Sequence, residues 1–169
     1  MIIDLSLSLI VLLILYFRFW KKHGFSYSFS RAVFYMTVVL MLALTVMPIG
    51  FYKGVLNQNC FNTVNLIPYR DISNHYLGAV KETIENILFF TPFGIMLPFI
   101  FKKSFAKSML ISASFSLFIE CYQLLGVWLC FENTRTFDIT DIINNTIGAA
   151  IGVVSFYVYK KLVDKKYSQ

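Results

Sequence analysis

The sequence predicts an all-α membrane protein, a polytopic bundle of about five transmembrane helices. Apolar residues make up 57% of the 169 residues and charged residues only 14%, whereas a soluble domain normally has about 25% charged residues. Mean hydropathy is +0.66. The apolar residues also fall in long runs that are closed by basic residues. The length fits one compact membrane domain, residues 1–169, rather than two.

The first predicted span covers residues 2–20. Its basic residues, Arg18, Lys21 and Lys22, lie at or just beyond its C-terminal end. A signal peptide has the opposite order, with its basic residues before the apolar run. We therefore expect an uncleaved first helix whose N-terminus lies outside the cell.

Four further apolar runs predict the remaining spans. They cover residues 32–49, 84–101, 108–129 and 142–159. Each is close to the roughly 20 residues that a helix needs to cross a bilayer. Pro48 and Gly50 mark the end of the second span, since neither residue favours a continuing helix. Lysines follow the third and fifth spans.

The distribution of basic residues predicts the orientation. If the loops after spans one, three and five are inside, eleven basic residues are cytoplasmic and four, Lys53, Arg70, Lys81 and Arg135, are outside. The positive-inside rule then places the N-terminus outside and the C-terminus inside. We expect a multi-pass protein of a cytoplasmic membrane, with membrane lipids as its first partners.

Polar residues concentrate toward the outer end of this predicted bundle. The set comprises Arg70, Asn86, Glu120, Gln123, Arg135, Asp138, Asp141 and Asn145. In a helix, Asp138, Asp141 and Asn145 share one stripe because three or four residues separate them. An acid near the bilayer middle costs roughly 2.5 to 3.5 kcal/mol, so Glu120 should face the bundle interior and have a partner. We expect the set to surround one outer-leaflet binding pocket.

Other interpretations of these residues stay open. The polar set could be a hydrogen-bond network that only fixes helix packing. Glu120, Asp138 and Asp141 could hold a divalent cation through their oxygens, although we expect neither a metal nor a cofactor. His75 is a lone loop histidine, and no Ser-His-Asp set can be assembled. The lysines of the inner face are expected to anchor the helices, not to bind nucleic acid.

Two further expectations concern the glycines and the cysteines. Gly148 and Gly152 form a G-x-x-x-G pattern, which lets another helix approach closely. Cys60, Cys121 and Cys130 have no metal-ligand spacing. Cys60 and Cys130 fall in the two predicted outer loops, where a disulfide could persist. Two free thiols are the slightly favoured alternative.

Four sequence blocks occur between residues 62 and 160. They read N-L-I-P-Y (65–69), E-N-I-L-F-F-T-P-F-G (85–94), E-C-Y-Q (120–123) and R-T-F-D-I-T-D-I-I-N-N-T-I-G (135–148). Together and in this order they resemble the VanZ family, named for a small bacterial membrane protein associated with teicoplanin resistance. Tyr69 is a departure, since many relatives have phenylalanine there. The resemblance implies a multi-span membrane protein and a link to glycopeptide antibiotics, but no established reaction.

The pocket and the resemblance together suggest a binding protein. We expect it to bind a lipidated glycopeptide or a lipid-linked cell-wall precursor and so contribute to antibiotic resistance. The alternative is an intramembrane enzyme in which Glu120, with Asp138 or Asp141, acts as a general acid/base pair on a lipid head group. Arg70 and Arg135 would then clamp phosphate. A transporter ranks last, because the inner half of the bundle lacks polar residues.

Overall fold

The computed structural model describes residues 2–45, 56–130 and 136–167. Six α-helices occur in these ranges: α1 (Ile2–Leu15), α2 (Phe25–Thr45), α3 (Arg70–Ser73), α4 (Ala79–Phe101), α5 (Phe105–Trp128) and α6 (Ile139–Tyr167). The described ranges contain no strand, only an isolated parallel bridge between Asn65 and Asp138. The predicted all-α helix bundle is thereby confirmed.

Within the described ranges, four helices are long and apolar enough to cross a membrane: α2, α4, α5 and α6. This is one fewer than predicted. The helix α1 has 14 residues, about 21 Å at 1.5 Å per residue, which is short of the roughly 30 Å hydrocarbon core. The apolar run continues beyond α1, but residues Tyr16–Trp20 form a π-helix and Lys21–His23 a 3₁₀ turn. The orientation of the termini stays a prediction.

The other predicted spans match helices whose ends differ from the apolar runs. Helix α4 begins at Ala79 and α6 continues to Tyr167. Both helices therefore include turns with charged residues that lie outside the apolar runs used to predict the spans. Glutamate and lysine are good helix formers, and a helix therefore extends past the apolar stretch that locates it. The last residues of the second predicted span, 46–49, lie outside the described residues.

Helices α4 and α6 pack with their backbones in close contact. A Cβ atom built on Gly94 of α4 would stand 2.8 Å from the Cα of Ala149 on α6. One built on Gly148 would stand 2.9 Å from the Cα of Ile87. Gly152 meets α4 one turn further along. The G-x-x-x-G pattern of α6 therefore lies against α4, where no side chain would fit.

The buried core draws on four helices. Its members are Met41, Phe90, Phe93, Leu97, Ile119 and Ala149. The ring of Phe93 stacks on Phe34 at 5.7 Å and on Phe115 at 5.1 Å between centroids. Such aromatic pairs add to the free energy gained by burial. The core thus fixes the relative positions of α2, α4 and α5.

Candidate functional site

One end of the bundle contains a pocket of about 340 Å³. Helices α2 and α5 end there, and α4 and α6 begin there. Five residues predicted from the sequence line this pocket: Asn86, Glu120, Gln123, Asp141 and Asn145. They come together because the first turns of α4 and α6 lie at the same level as the last turns of the oppositely directed α5.

Two acids of the pocket were not expected from the sequence. Glu82 and Glu85 line it from the first turns of α4. Glu82 precedes the third predicted span, residues 84–101, and Glu85 is at the start of that span, but neither was included in the predicted polar set. The available signal was the spacing of Glu82, which is four residues from Asn86 and three from Glu85, because residues three and four apart share one helix face.

Glu120 joins α5 to the start of α6. Its side chain is 1% exposed, and its Oε2 accepts a hydrogen bond from the backbone N–H of Asp138 at 2.9 Å. The interior position and the partner expected for this acid are both present. One carboxylate oxygen is thus used to hold the chain where α6 begins.

Asn86 and Asp141 form the contact between α4 and α6 inside the pocket. The amide nitrogen of Asn86 donates to Oδ1 of Asp141 at 2.6 Å. A hydrogen bond to a carboxylate is stronger than one between neutral groups. The bond also sets the orientation of the amide, because only its nitrogen can donate. The side-chain oxygen of Asn86 is left for other donors.

Gln123 and Asn145 use their amide nitrogens in the same way. Gln123 Nε2 donates to the carbonyl oxygen of Thr45 at 3.2 Å, and Asn145 Nδ2 donates to Oγ of Ser116 at 2.9 Å. Each side chain is 4% exposed. Within the described ranges, neither side-chain oxygen accepts a hydrogen bond. The amide nitrogens therefore bind the protein, and the oxygens are the unsatisfied ends.

Asp138 lies outside this pocket and holds a loop in place. Its Oδ1 accepts from the N–H of Thr140 at 2.7 Å, and its Oδ2 accepts from Nδ2 of Asn65 at 2.8 Å. The Asn65 backbone also donates to the carbonyl of Phe137 and accepts from the N–H of Ile139, both at 2.9 Å. Asp138 thus caps α6 and fastens the N-L-I-P-Y segment to it.

Tyr69 fastens the other end of the same segment. Its N–H donates to Oγ1 of Thr140 at 3.0 Å, and its hydroxyl donates to Oδ1 of Asn144 at 3.2 Å. Tyr69 has a φ of 55°, in the left-handed region that non-glycine residues seldom occupy. The first and last residues of N-L-I-P-Y are therefore both bound to the first turns of α6.

Of the two predicted arginines, the structure describes only Arg70, which does not line the pocket. Arg70 lies on α3, where its Nε is 3.6 Å from Oδ1 of Asp71, and the two side chains are 43% and 42% exposed. Arg135 lies outside the described residues. Across residues 2–45, 56–130 and 136–167, no lysine, arginine or histidine lines the pocket.

The described residues hold neither a metal-binding cluster nor a disulfide. In the part of the chain that the structure describes, no group of three or more His, Cys, Asp or Glu side chains could hold a metal ion. Cys60, Cys121 and Cys130 are all free thiols. The two loops at this end of the bundle are therefore joined by hydrogen bonds, not by a disulfide.

An apolar groove of about 270 Å³ adjoins the pocket. It runs between α2 and α4, with walls formed by Thr37, Leu40, Met41, Leu88, Phe89 and Pro92. Met41 and Phe89 line both the groove and the pocket. The polar pocket and the apolar groove are thus neighbours that share two side chains.

Similarity to known proteins extends over most of the chain. The family model described as VanZ/LLP1 matches residues 6–160. The chain is 28% identical over 143 residues to Protein VanZ of Enterococcus faecium, a match that covers 81% of this chain and 79% of that protein. No solved structure matches the chain.

Proposed function

The chain belongs to the VanZ/LLP1 family and forms a membrane helix bundle, and from this premise we propose that it binds an amphiphilic molecule at the pocket end of the bundle. The first ligand we propose is a lipidated glycopeptide of the teicoplanin type. The second is a lipid-linked cell-wall precursor. By holding either one at the membrane, the protein would contribute to antibiotic resistance.

The proposal rests on one observation: the polar pocket and the apolar groove adjoin and share two side chains. Ligand sites in proteins usually have volumes of about 300 to 1,000 Å³, and the pocket of about 340 Å³ lies in that range. Carboxylates and amides line it, while Met41 and Phe89 continue its wall into the apolar groove. This arrangement suits a molecule with a polar head and an alkyl chain.

The predicted orientation supports the same ligands. With the lysine-rich C-terminal end of α6 predicted to lie inside, the opposite, pocket end of α4 and α6 faces the outer leaflet. Lipid-linked precursors and lipidated drugs are both accessible from that side. Cysteine labelling of intact cells tests the orientation itself.

Binding can be measured with the purified protein in phosphatidylcholine nanodiscs. We would titrate an acylated glycopeptide and the same glycopeptide without its acyl chain, and subtract the signal of empty nanodiscs. The acylated form should bind at least about tenfold more tightly, since each buried methylene contributes about 0.8 kcal/mol. Equal binding of the two forms would overturn the proposal.

A matched pair of variants tests the groove. Leu40 lines it and is 55% exposed, whereas Leu110 is 68% exposed on α5 and lines neither cavity. Leu40→Trp should fill the groove and weaken binding of the acylated glycopeptide. Leu110→Trp adds the same bulk elsewhere and should leave binding unchanged. If both variants bind like the unmodified protein, the alkyl chain does not use the groove.

A second candidate function is intramembrane acid/base catalysis on a lipid head group. It is favoured by Glu120 and Asp141, two carboxylic acids that line one pocket. Asp138 is the weaker partner, because both of its carboxylate oxygens already accept hydrogen bonds. Mass spectrometry of phospholipids and polyprenyl-linked lipids incubated with the protein tests this candidate. Lipids of unchanged mass would exclude it.

A further inference from the structure

We infer that the end of the bundle opposite the pocket binds the phosphate head groups of anionic phospholipids. The surface concerned, called the basic face, comprises the basic side chains of the π-helical and 3₁₀ segments, of the start of α2 and of the end of α4: Arg18, Lys21, Lys22, Arg31, Lys102 and Lys103. Helix α2 begins and α4 ends at this level, whereas their other ends reach the pocket. The inference goes beyond the ligand proposed for the pocket and does not depend on it.

Two contacts bring the segments of the basic face together. The hydroxyl of Ser28, in the first turn of α2, donates to the carbonyl oxygen of Trp20 at 2.9 Å, and this bond holds the π-helical segment against α2. Arg31 reaches the last residue of α4, with its Cζ 6.0 Å from the ring centroid of Phe101. The two lysines of the α4 end follow Phe101 directly in the chain. Cations from three parts of the sequence therefore meet at one corner of the bundle.

The cations of the basic face contact aromatic rings, not acids. The Cζ of Arg18 lies 5.7 Å from the ring centroid of Phe19, and the Cζ of Arg31 lies 3.4 Å from that of Tyr27. Residues 16–31 and 101–103 contain no aspartate or glutamate. Within the described ranges, no salt bridge joins the basic face to an acid. A cation over a ring keeps its full charge, so in this part of the chain the positive charge has no acidic partner.

Exposed aromatic rings beside the cations indicate that the anion belongs to a membrane. Phe17, Phe25 and Phe29 are each more than half exposed, and they alternate in sequence with the basic residues. Exposed apolar surface of this kind marks a contact with lipid or protein, and aromatic residues are typical of the membrane interface. A soluble anion would leave these rings in water. An anionic phospholipid covers the rings and supplies the phosphate.

Arg31 is the most constrained cation of the basic face. It is partly buried, whereas the other five basic side chains are exposed, and its guanidinium lies against the ring of Tyr27. A guanidinium can give two parallel N–H donors to one phosphate. Because the rings already restrict this side chain, little further ordering is needed when the phosphate binds. Arg31 therefore contacts the lipid phosphate, and the lysines add attraction to the membrane surface.

The test compares two phospholipids with the same acyl chains, dioleoylphosphatidylglycerol and dioleoylphosphatidylcholine. Each is titrated into the purified protein in an uncharged detergent, and native mass spectrometry measures the bound lipid. The anionic phosphatidylglycerol should bind at least about tenfold more tightly, because each nearby cation adds to the attraction. Raising the salt concentration should reduce this preference, since salt screens exposed charges. Inorganic phosphate at the same concentration should not displace the lipid.

Matched charge variants locate the binding surface. Arg31→Gln should weaken phosphatidylglycerol binding about fivefold, and Arg31→Lys, which keeps the charge, should recover part of it. Lys102→Gln should weaken binding about two- to fivefold. Its control is Lys81→Gln, which removes the same charge from an exposed lysine at the pocket end of α4, about 32 Å away at 1.5 Å per residue. The control should bind phosphatidylglycerol like the unmodified protein.

Three results would overturn the inference. The first is equal binding of phosphatidylglycerol and phosphatidylcholine. The second is an equal effect of Lys102→Gln and Lys81→Gln. The third is displacement of the lipid by inorganic phosphate, which would assign the basic face to a soluble anion. If Arg31→Gln does not fold, the lysine pair provides the test, because both lysines are exposed. None of these results bears on the binding of a glycopeptide at the pocket.

Discussion

Asn65 and Asp138, 73 residues apart in the chain, are joined by a hydrogen bond of 2.8 Å between Nδ2 and Oδ2. The two residues also form the isolated parallel bridge of the structure. Asn65 is 2% exposed, so this contact is inside the protein. Since the N–H of Asp138 also binds Glu120, the contact connects the N-L-I-P-Y segment to the wall of the pocket.

Asp138→Ala should destabilise the protein by about 1 to 3 kcal/mol, since it removes the cap of α6 and leaves the amide of Asn65 without its acceptor. Denaturant unfolding in mild detergent measures this change. Asp71→Ala is the control, because the Asp71 side chain is 42% exposed and should change stability by less than about 0.5 kcal/mol. Equal losses in the two variants would argue against the structural role of Asp138.

Glu120→Ala should destabilise the start of α6, since the N–H of Asp138 loses its acceptor. The expected cost is about 1 to 3 kcal/mol. Glu120→Gln retains a side-chain oxygen and should cost less. Amide hydrogen exchange reports the effect locally: the N–H of Asp138 should exchange faster in the alanine variant than in the glutamine variant. The same exchange rate in both would mean that the hydrogen bond does not protect this amide.

Gly152→Ala should reduce stability by about 1 to 3 kcal/mol, the usual cost of excess volume in a tightly packed interface. A Cβ atom at this position would stand 2.8 Å from the backbone nitrogen of Ile95 and would also overlap the carbonyl oxygen of Thr91. Backbone atoms cannot move aside as a flexible side chain can. Val154→Leu on the exposed face of α6, where Val154 is 49% exposed, should be tolerated. Similar melting temperatures for both variants would contradict the close helix contact.

Tyr69→Phe should cost about 0.5 to 1.5 kcal/mol, the net value of an ordinary hydrogen bond. The hydroxyl that it removes donates to Asn144, which is 1% exposed. A double-mutant cycle identifies the partner: once Asn144→Ala is present, Tyr69→Phe should have little further effect. An undiminished cost in that background would assign the hydroxyl to a different partner.

The predicted orientation can be tested by cysteine labelling of intact cells. In a Cys121→Ser background, a membrane-impermeant maleimide should react with Cys130, a free and partly exposed thiol at the pocket end of the bundle, without prior reduction. The variant Asp164→Cys should label additionally only after the cells are permeabilised. The reverse pattern would place the pocket at the cytoplasmic side.

The four membrane-length helices and the level of the polar residues along them followed from the sequence alone. In a bilayer each spanning segment must pair its own backbone groups and expose apolar side chains to lipid. Hydropathy therefore locates a span without knowledge of its neighbours. For the same reason the depths of Asn86, Glu120, Gln123 and Asn145 could be counted from the ends of their helices, and the spacing of Gly148 and Gly152 indicated a contact face.

Other features depended on the folded protein. The division of the first apolar run into α-, π- and 3₁₀-helical segments, the inclusion of Glu82 and Glu85 in the pocket, and the pairing of Arg70 with Asp71 leave no trace in hydropathy. The partners of Asn65, Tyr69 and the three pocket amides also come from distant parts of the chain. Hydrogen bonds are short and directional, so they depend on how the loops and helices meet in space. Helical periodicity decides which face a residue occupies; only the packing of α4, α5 and α6 decides which atom lies opposite it.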